Sequence, residues 1–214
     1  MKGKIKTLIV FVIIAAIAMF TAVATAWDNG HDGDHWKHFI WGKYAYTGGG
    51  NCLISPNGFT NDEPYVPNAG AFPSLVVVGG LITLNKDGSG SIQNVTRFLD
   101  LPGVINIGNE KWTFMYKPTH DNRFTIYANQ GSYVELDWVA GPNASGPSPN
   151  YFVFDGSCDG VLSPYGDTVT ITCGKPLITL KLASCDPTKS PPCTPLTGLF
   201  GACSFSWVGT RVGD

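Results

Sequence analysis

Two stretches near opposite ends of the chain do most to limit what it can fold into. They are Trp41-Gly-Lys-Tyr-Ala-Tyr-Thr-Gly-Gly-Gly-Asn-Cys52 and Cys203-Ser-Phe-Ser-Trp-Val-Gly-Thr-Arg211. Each alternates with a period of two, the signature of a strand that buries one face. In the first, a strand over about 39–47, Ile40, Gly42, Tyr44 and Tyr46 share one face, and Lys43, Ala45 and Thr47 the other. In the second, Cys203, Phe205, Trp207, Gly209 and Arg211 share a face. If the two pair antiparallel with Cys52 opposite Cys203, Tyr44 falls opposite Arg211 on the same side of the sheet. An arginine over an aromatic ring then supplies cation–π attraction and hydrogen bonds. A first strand paired with the last closes a sheet on itself and abolishes its edges. The glycines at 48–50 are the candidate bulge that would shift this register by one.

The chain between repeats the pattern. Strands are expected at about 72–84, 91–99, 111–117, 123–128, 132–139, 151–154, 158–162, 168–173, 177–183 and 202–212. The frequent glycine (26) and proline (15) act as turn punctuation, and no stretch past residue 26 sustains a helical period. The pair Gly79-Gly80 inside an apolar run predicts a bulge or sharp bend. The long segment from Gly48 to Ala71 is read as a loop, either a lid over a barrel mouth or a plain surface loop. The reading is a single antiparallel up-and-down β-barrel of about 8–10 strands, stabilised by disulfides.

The first residues are not fold. Met1–Lys6 is basic, Leu8–Val23 is apolar and Ala24-Thr-Ala26 resembles a cleavage site, so 1–26 reads as a signal peptide. The apolar run is short for a spanning helix, which needs about 20 residues. Residues 27–38 form a flexible His/Asp-rich tail, and 39–214 the barrel. Past residue 26 there are 11 basic and 16 acidic residues, a net −5. That balance offers no footprint for nucleic acid and no polybasic membrane patch. All six cysteines lie in the exported part, and an even count there argues for disulfides in a secreted or periplasmic protein. A hairpin turning between Tyr165 and Gly166 sets Cys158 opposite Cys173. Cys185 and Cys193 end a short proline-rich loop. Cys52 is left for Cys203.

Several chemical signals are weighed and set aside. His31, His35 and His38 stand with Asp28, Asp32 and Asp34, donors suited to Zn²⁺, Cu²⁺ or Ni²⁺. Their spacing matches no defined site, so a solvated tail is expected, with no metal or other cofactor. Asn85, Asp87, Ser89, Gly90 and Ile92 follow a calcium-loop pattern, but its last position is Thr96 rather than Glu and both flanks read as strands. A hairpin turn on Asp87-Gly88 is the better account. Glu135 and Asp137 alternate with Val134, Leu136 and Trp138, which places the two carboxylates on the outer wall. There is no Gly-x-Ser-x-Gly, His-Glu-x-x-His or phosphate loop, and His120 sits in a turn.

Gly42-x-Tyr44 with the late Arg211 resembles the lipocalin/calycin pattern, in which Gly-x-Trp on the first strand meets an arginine on the last. Tyr stands here in place of Trp. More of the chain, about 41–212, resembles an uncharacterised family of exported bacterial β-barrel proteins. The matching residues are Gly42 and Tyr44, Cys52-Leu-Ile-Ser-Pro-Asn-Gly-Phe59, Asp87-Gly-Ser-Gly90, and Cys203 with Arg211. Both resemblances imply a calycin-like barrel. The expected role is non-enzymatic: binding a small apolar ligand, or acting as a structural protein with a cell-surface partner. Candidate ligand-binding residues in the interior are Tyr44, Tyr46, Trp112, Phe114, Tyr116, Phe124, Trp138, Trp207 and Arg211. The alternative is an isomerase-like barrel enzyme without a recognisable motif.

Overall fold

Period-two alternation of bulky apolar residues does produce a closed wall of antiparallel strands. The structure is a computed structural model and describes residues 40–61, 66–100, 103–146, 149–183, 185–186, 189 and 200–213. The expected signal peptide, the His31/His35/His38 tail and Cys193 lie outside the described residues.

The main strands are β1 (Gly42–Ile54), β4 (Phe72–Leu84), β5 (Ser89–Asp100), β6 (Val104–Pro118), β7 (Arg123–Tyr127), β8 (Val134–Ala140), β9 (Asn150–Asp155), β10 (Ser157–Leu162), β11 (Thr168–Leu182) and β12 (Gly201–Gly213). Two short strands, β2 (Phe59–Asn61) and β3 (Val66–Pro67), form a separate hairpin in the β1–β4 connection. The ten strands of the main sheet fill eight wall positions. β6 pairs with β7 over Met115–Pro118 and with β8 over Ile107–Trp112. β11 pairs with β10 over Val169–Cys173 and with β9 over Thr179–Leu182. Since β7 pairs with β10 and β8 with β9, the couples β7/β8 and β9/β10 each act as one interrupted strand. Neighbours in the wall are then neighbours in sequence, an up-and-down meander that β12 closes on β1.

The break between β9 and β10 falls at Gly156, whose φ is 117° and where a Cβ would crowd Leu177 O and Ile178. Its neighbour β11 shifts register between Cys173 and Ile178 at the same height. The segment 177–183 is therefore mostly the second half of β11 rather than a strand of its own.

The seam follows the expected register. Cys52 pairs with Cys203 and Tyr44 with Arg211, and the one irregularity lies between Lys43 and Tyr44. The glycines at 48–50 introduce no bulge, and β1 continues through them to Ile54. Gly79-Gly80 likewise pairs without a shift to both β1 and β5. These glycines make room instead. On the inner face Gly48 opposes Trp207, Gly50 opposes Phe205, and Tyr46 sits between Gly209 and Gly80. Gly90 opposes Phe114, and Gly160 opposes Phe124. A Cβ on Gly48, Gly50, Gly90 or Gly160 would collide with the facing ring. Small residues facing large ones are how a narrow barrel fits rings at packing density.

Two disulfides, Cys52–Cys203 and Cys158–Cys173, join directly opposed residues on the inner face, and no described cysteine is free. Buried disulfides are the chemistry of an oxidising compartment. The third expected pair, Cys185–Cys193, cannot be placed because Cys193 is outside the described residues. No described helix is long and apolar enough to cross a membrane.

Candidate functional site

The barrel has a filled half and a hollow half. The filled half holds the seam's end and the tight turns 85–88, 119–122 and 163–167. Ile40, Tyr44, Ile82, Leu84, Ile92, Phe124 and Val169 are each at most 2% exposed there. The Arg211 guanidinium lies 5.9 Å from the Tyr44 ring and donates to the Trp41 carbonyl. The Tyr44 hydroxyl reaches the Ile40 and Gly166 carbonyls at 3.2 and 3.4 Å. Lys86 lies 4.8 Å over the Trp41 ring. Tyr116 donates to the Asn85 carbonyl, and burial pushes its hydroxyl up to about 12. These contacts lock the end of the barrel.

The hollow half holds a cavity of about 440 Å³. Its wall is aromatic and aliphatic: Phe72 and Val76 from β4, Phe98 from β5, Trp112 from β6, Val134, Leu136 and Trp138 from β8. Phe152 from β9, Leu180 and Leu182 from β11, Phe200 and Phe205 complete it, beside Cys52 of the seam disulfide. Phe205 and Trp112 form the floor, with ring centroids 6.1 Å apart. Beneath them Trp207 stacks on Phe205 at 5.8 Å and meets Tyr46 at 5.9 Å. The rim includes Ile54, Pro56, and Asn143 of a 3-10 turn over Pro142–Ser145.

Of the residues expected in a binding interior, Trp112 and Trp138 line this cavity. Tyr46 and Trp207 lie under its floor. Tyr44, Phe114, Tyr116 and Phe124 are core of the filled half, and Arg211 caps that end. Phe72, Phe98, Phe152, Phe200 and Phe205 line the cavity without having been singled out from sequence.

Two polar clusters interrupt the apolar wall. Asn94, Thr96 and Phe98 alternate inward on β5; Asn106, Gly108, Glu110 and Trp112 do so on β6. Thr96, 0% exposed, donates to Glu110 Oε2 at 2.6 Å. Its hydroxyl also lies 3.1 Å from Asn94 Oδ1, and Asn94 Nδ2 donates to the Tyr46 hydroxyl at 2.8 Å. Gly80, between Tyr46 and Asn94, has no side chain to block that bond. Flipping the Asn94 amide reverses the direction of the chain, so it can serve Glu110 in either protonation state. Burial pushes the Glu110 carboxyl above the usual carboxylate range, against the pull of donors on Thr96, Asn94 and Trp112. Burial also pushes the Tyr46 hydroxyl well up. Nearer the rim, Asn106 Nδ2 donates to Asp100 Oδ2 at 2.9 Å, and the Asn143 amide donates to Asn106 Oδ1 at 3.0 Å.

Glu110 and Asp100 both line the cavity, and no Lys, Arg or His does so among the described residues. Neither carboxyl stood out in sequence. The signal was present for Glu110, since continuing the inward set Tyr116, Phe114, Trp112 by two residues reaches it. Glu135 and Asp137 lie on the outer side of β8, as expected from their alternation with Val134 and Leu136.

Comparison with protein-family models, curated proteins and solved structures finds no match for this chain.

Proposed function

We propose that the protein is exported and binds a small apolar molecule inside the barrel, without catalysing a reaction on it. The observation that carries this reading is the cavity of about 440 Å³ between Phe205 and the rim. It falls in the range of small-molecule sites, which are mostly apolar with a few placed polar groups. The filled end supplies a rigid base, so the cavity does not depend on the ligand to hold it open. Export is supported by the basic and apolar segment over 1–26 and by two buried disulfides. The compartment is the periplasm or the cell exterior. Tyr44 beneath Arg211 supports kinship with lipocalin-like barrels, in which a ligand occupies the interior.

Tryptophan emission tests the binding directly, because Trp112 and Trp138 line the cavity. Titration of the mature protein with a panel of aliphatic amphiphiles, quinones and aromatic probes should quench or shift that emission with saturation. Leu180→Trp, which fills the cavity from β11, should weaken binding at least about tenfold, the cost of about 1.4 kcal/mol. A panel in which no compound perturbs the emission rejects the reading.

A further inference from the structure

The cavity wall is unbalanced in charge. Its described lining carries two carboxyl groups, Glu110 and Asp100, and seven aromatic rings, but no basic side chain. Asp100 is near the rim and held by Asn106. Glu110 is deeper, next to Trp112 on β6 and opposite Leu136 on β8, with no salt bridge among the described residues. A carboxyl group facing an apolar cavity without a cation costs free energy that a purely structural residue would not need to incur. Donors on Thr96, Asn94 and Trp112 hold the carboxyl, and of its roughly four lone-pair sites they leave one for a further donor. Rings stand on both sides of it: Trp112 toward the floor, and Trp138 with Phe98, 5.3 Å apart, toward the rim. A carboxylate among aromatic faces receives an organic cation by ion pairing and cation–π contact together. The same wall repels a fatty acid, whose carboxylate would meet two like charges.

We propose that the molecule bound in this cavity is a small hydrophobic amine, its cation received by Glu110 between Trp112 and the Trp138–Phe98 pair. The proposal rests on the reading of the cavity as a ligand site and names the ligand's chemical class.

The test uses the mature protein and four probes with one alkyl chain: octylamine, octyltrimethylammonium, octanol and octanoate, titrated by calorimetry at pH 7.5. The amine and the quaternary ammonium should bind at least about tenfold tighter than octanol, with octanoate weakest. Glu110→Gln, nearly isosteric, should reduce the two cations to the level of octanol. The quaternary ammonium does not titrate, so in the wild type its affinity should fall on acidification as Glu110 is protonated. That step should vanish in Glu110→Gln. The other titratable group joined to this network, Tyr46 of β1, stays neutral throughout. The strands β8, β9, β11 and β12 add no charged described residue to the lining. Octanol or octanoate binding as tightly as octylamine would overturn the amine assignment while sparing the cavity reading. Cation binding that survives Glu110→Gln undiminished would do the same. Failure of all four probes to bind would overturn both.

Discussion

Glu110 shows how one side chain can oppose stability while serving a site. It sits on the inner face of β6, where every other strand residue from Trp112 to Tyr116 is a buried ring. Burial raises its pKa above that of the unfolded chain, so the folded protein binds the proton more readily. The favourable term is present in full below the unfolded value, about 4.3, and is lost as pH rises through the folded value. The ligand-free protein should therefore gain stability on acidification from pH 7.5 toward pH 5, against the trend set by surface carboxylates. Glu110→Gln removes this dependence. The melting temperature of the variant should exceed that of the wild type at pH 7.5, and the gap should narrow toward pH 5. A gap that stays constant across that range would show that Glu110 does not titrate between the two states. Its partner Thr96 has no exposed surface, so Thr96→Val should remove one of the donors that favour the carboxylate and raise its pKa further.

Among the elements, the glycines decide which rings fit. Trp207 and Phe205 project from β12 onto β1 at Gly48 and Gly50, in register. A methyl group at Gly48 would enter the space of the Ser206 carbonyl and the Trp207 ring. The carbonyl belongs to the ladder and cannot rotate away, so the seam must open or the ring must leave its place. Gly48→Ala should cost about 1–3 kcal/mol, the range for overpacking a well-filled core. Ala45→Gly, on the exposed face of the same strand, should cost less than about 1 kcal/mol, from backbone entropy. Chemical denaturation of the two variants distinguishes close approach from a general dislike of substitution in β1. The same glycines explain where the strands were and were not legible in the sequence. Alternation located β4 to the residue and set the faces of β1, β7, β8 and β12, because bulky residues mark the inner face. It failed at 48–54 and at 104–110. There the inner positions hold Gly48, Gly50, Asn106, Gly108 and Glu110, residue types that disfavour strands in isolation. Neighbouring rings and polar partners supply what those residues lack, and such partners come from other strands. The cavity was hidden for the same reason. Which inward rings fill the barrel and which line a space depends on their height along it, which a face assignment does not carry. Trp112 and Phe114 are two residues apart on one face, yet the first lines the cavity and the second is core.

For the whole molecule, closure is the step that makes an open meander into a barrel, and it joins the most distant strands. The β1–β12 ladder brings together residues that the chain separates by most of its length, so it carries the largest loop-closure entropy. The disulfide Cys52–Cys203 spans 151 residues and lies on that ladder, whereas Cys158–Cys173 spans 15 within one hairpin. In the chain-entropy account the first constrains the unfolded state by about 5 kcal/mol and the second by about 3. Replacing each pair with alanines should therefore lower the denaturation midpoint more for Cys52/Cys203 than for Cys158/Cys173. The site sharpens the contrast. Cys52 lines the cavity wall, so loss of the long bond should also weaken ligand binding, while loss of the short one should leave it near the wild-type value. The reverse order of midpoints would mean that the hairpin bond, rather than the seam, holds the barrel closed. The hollow half would then owe its shape to the β10–β11 side of the wall.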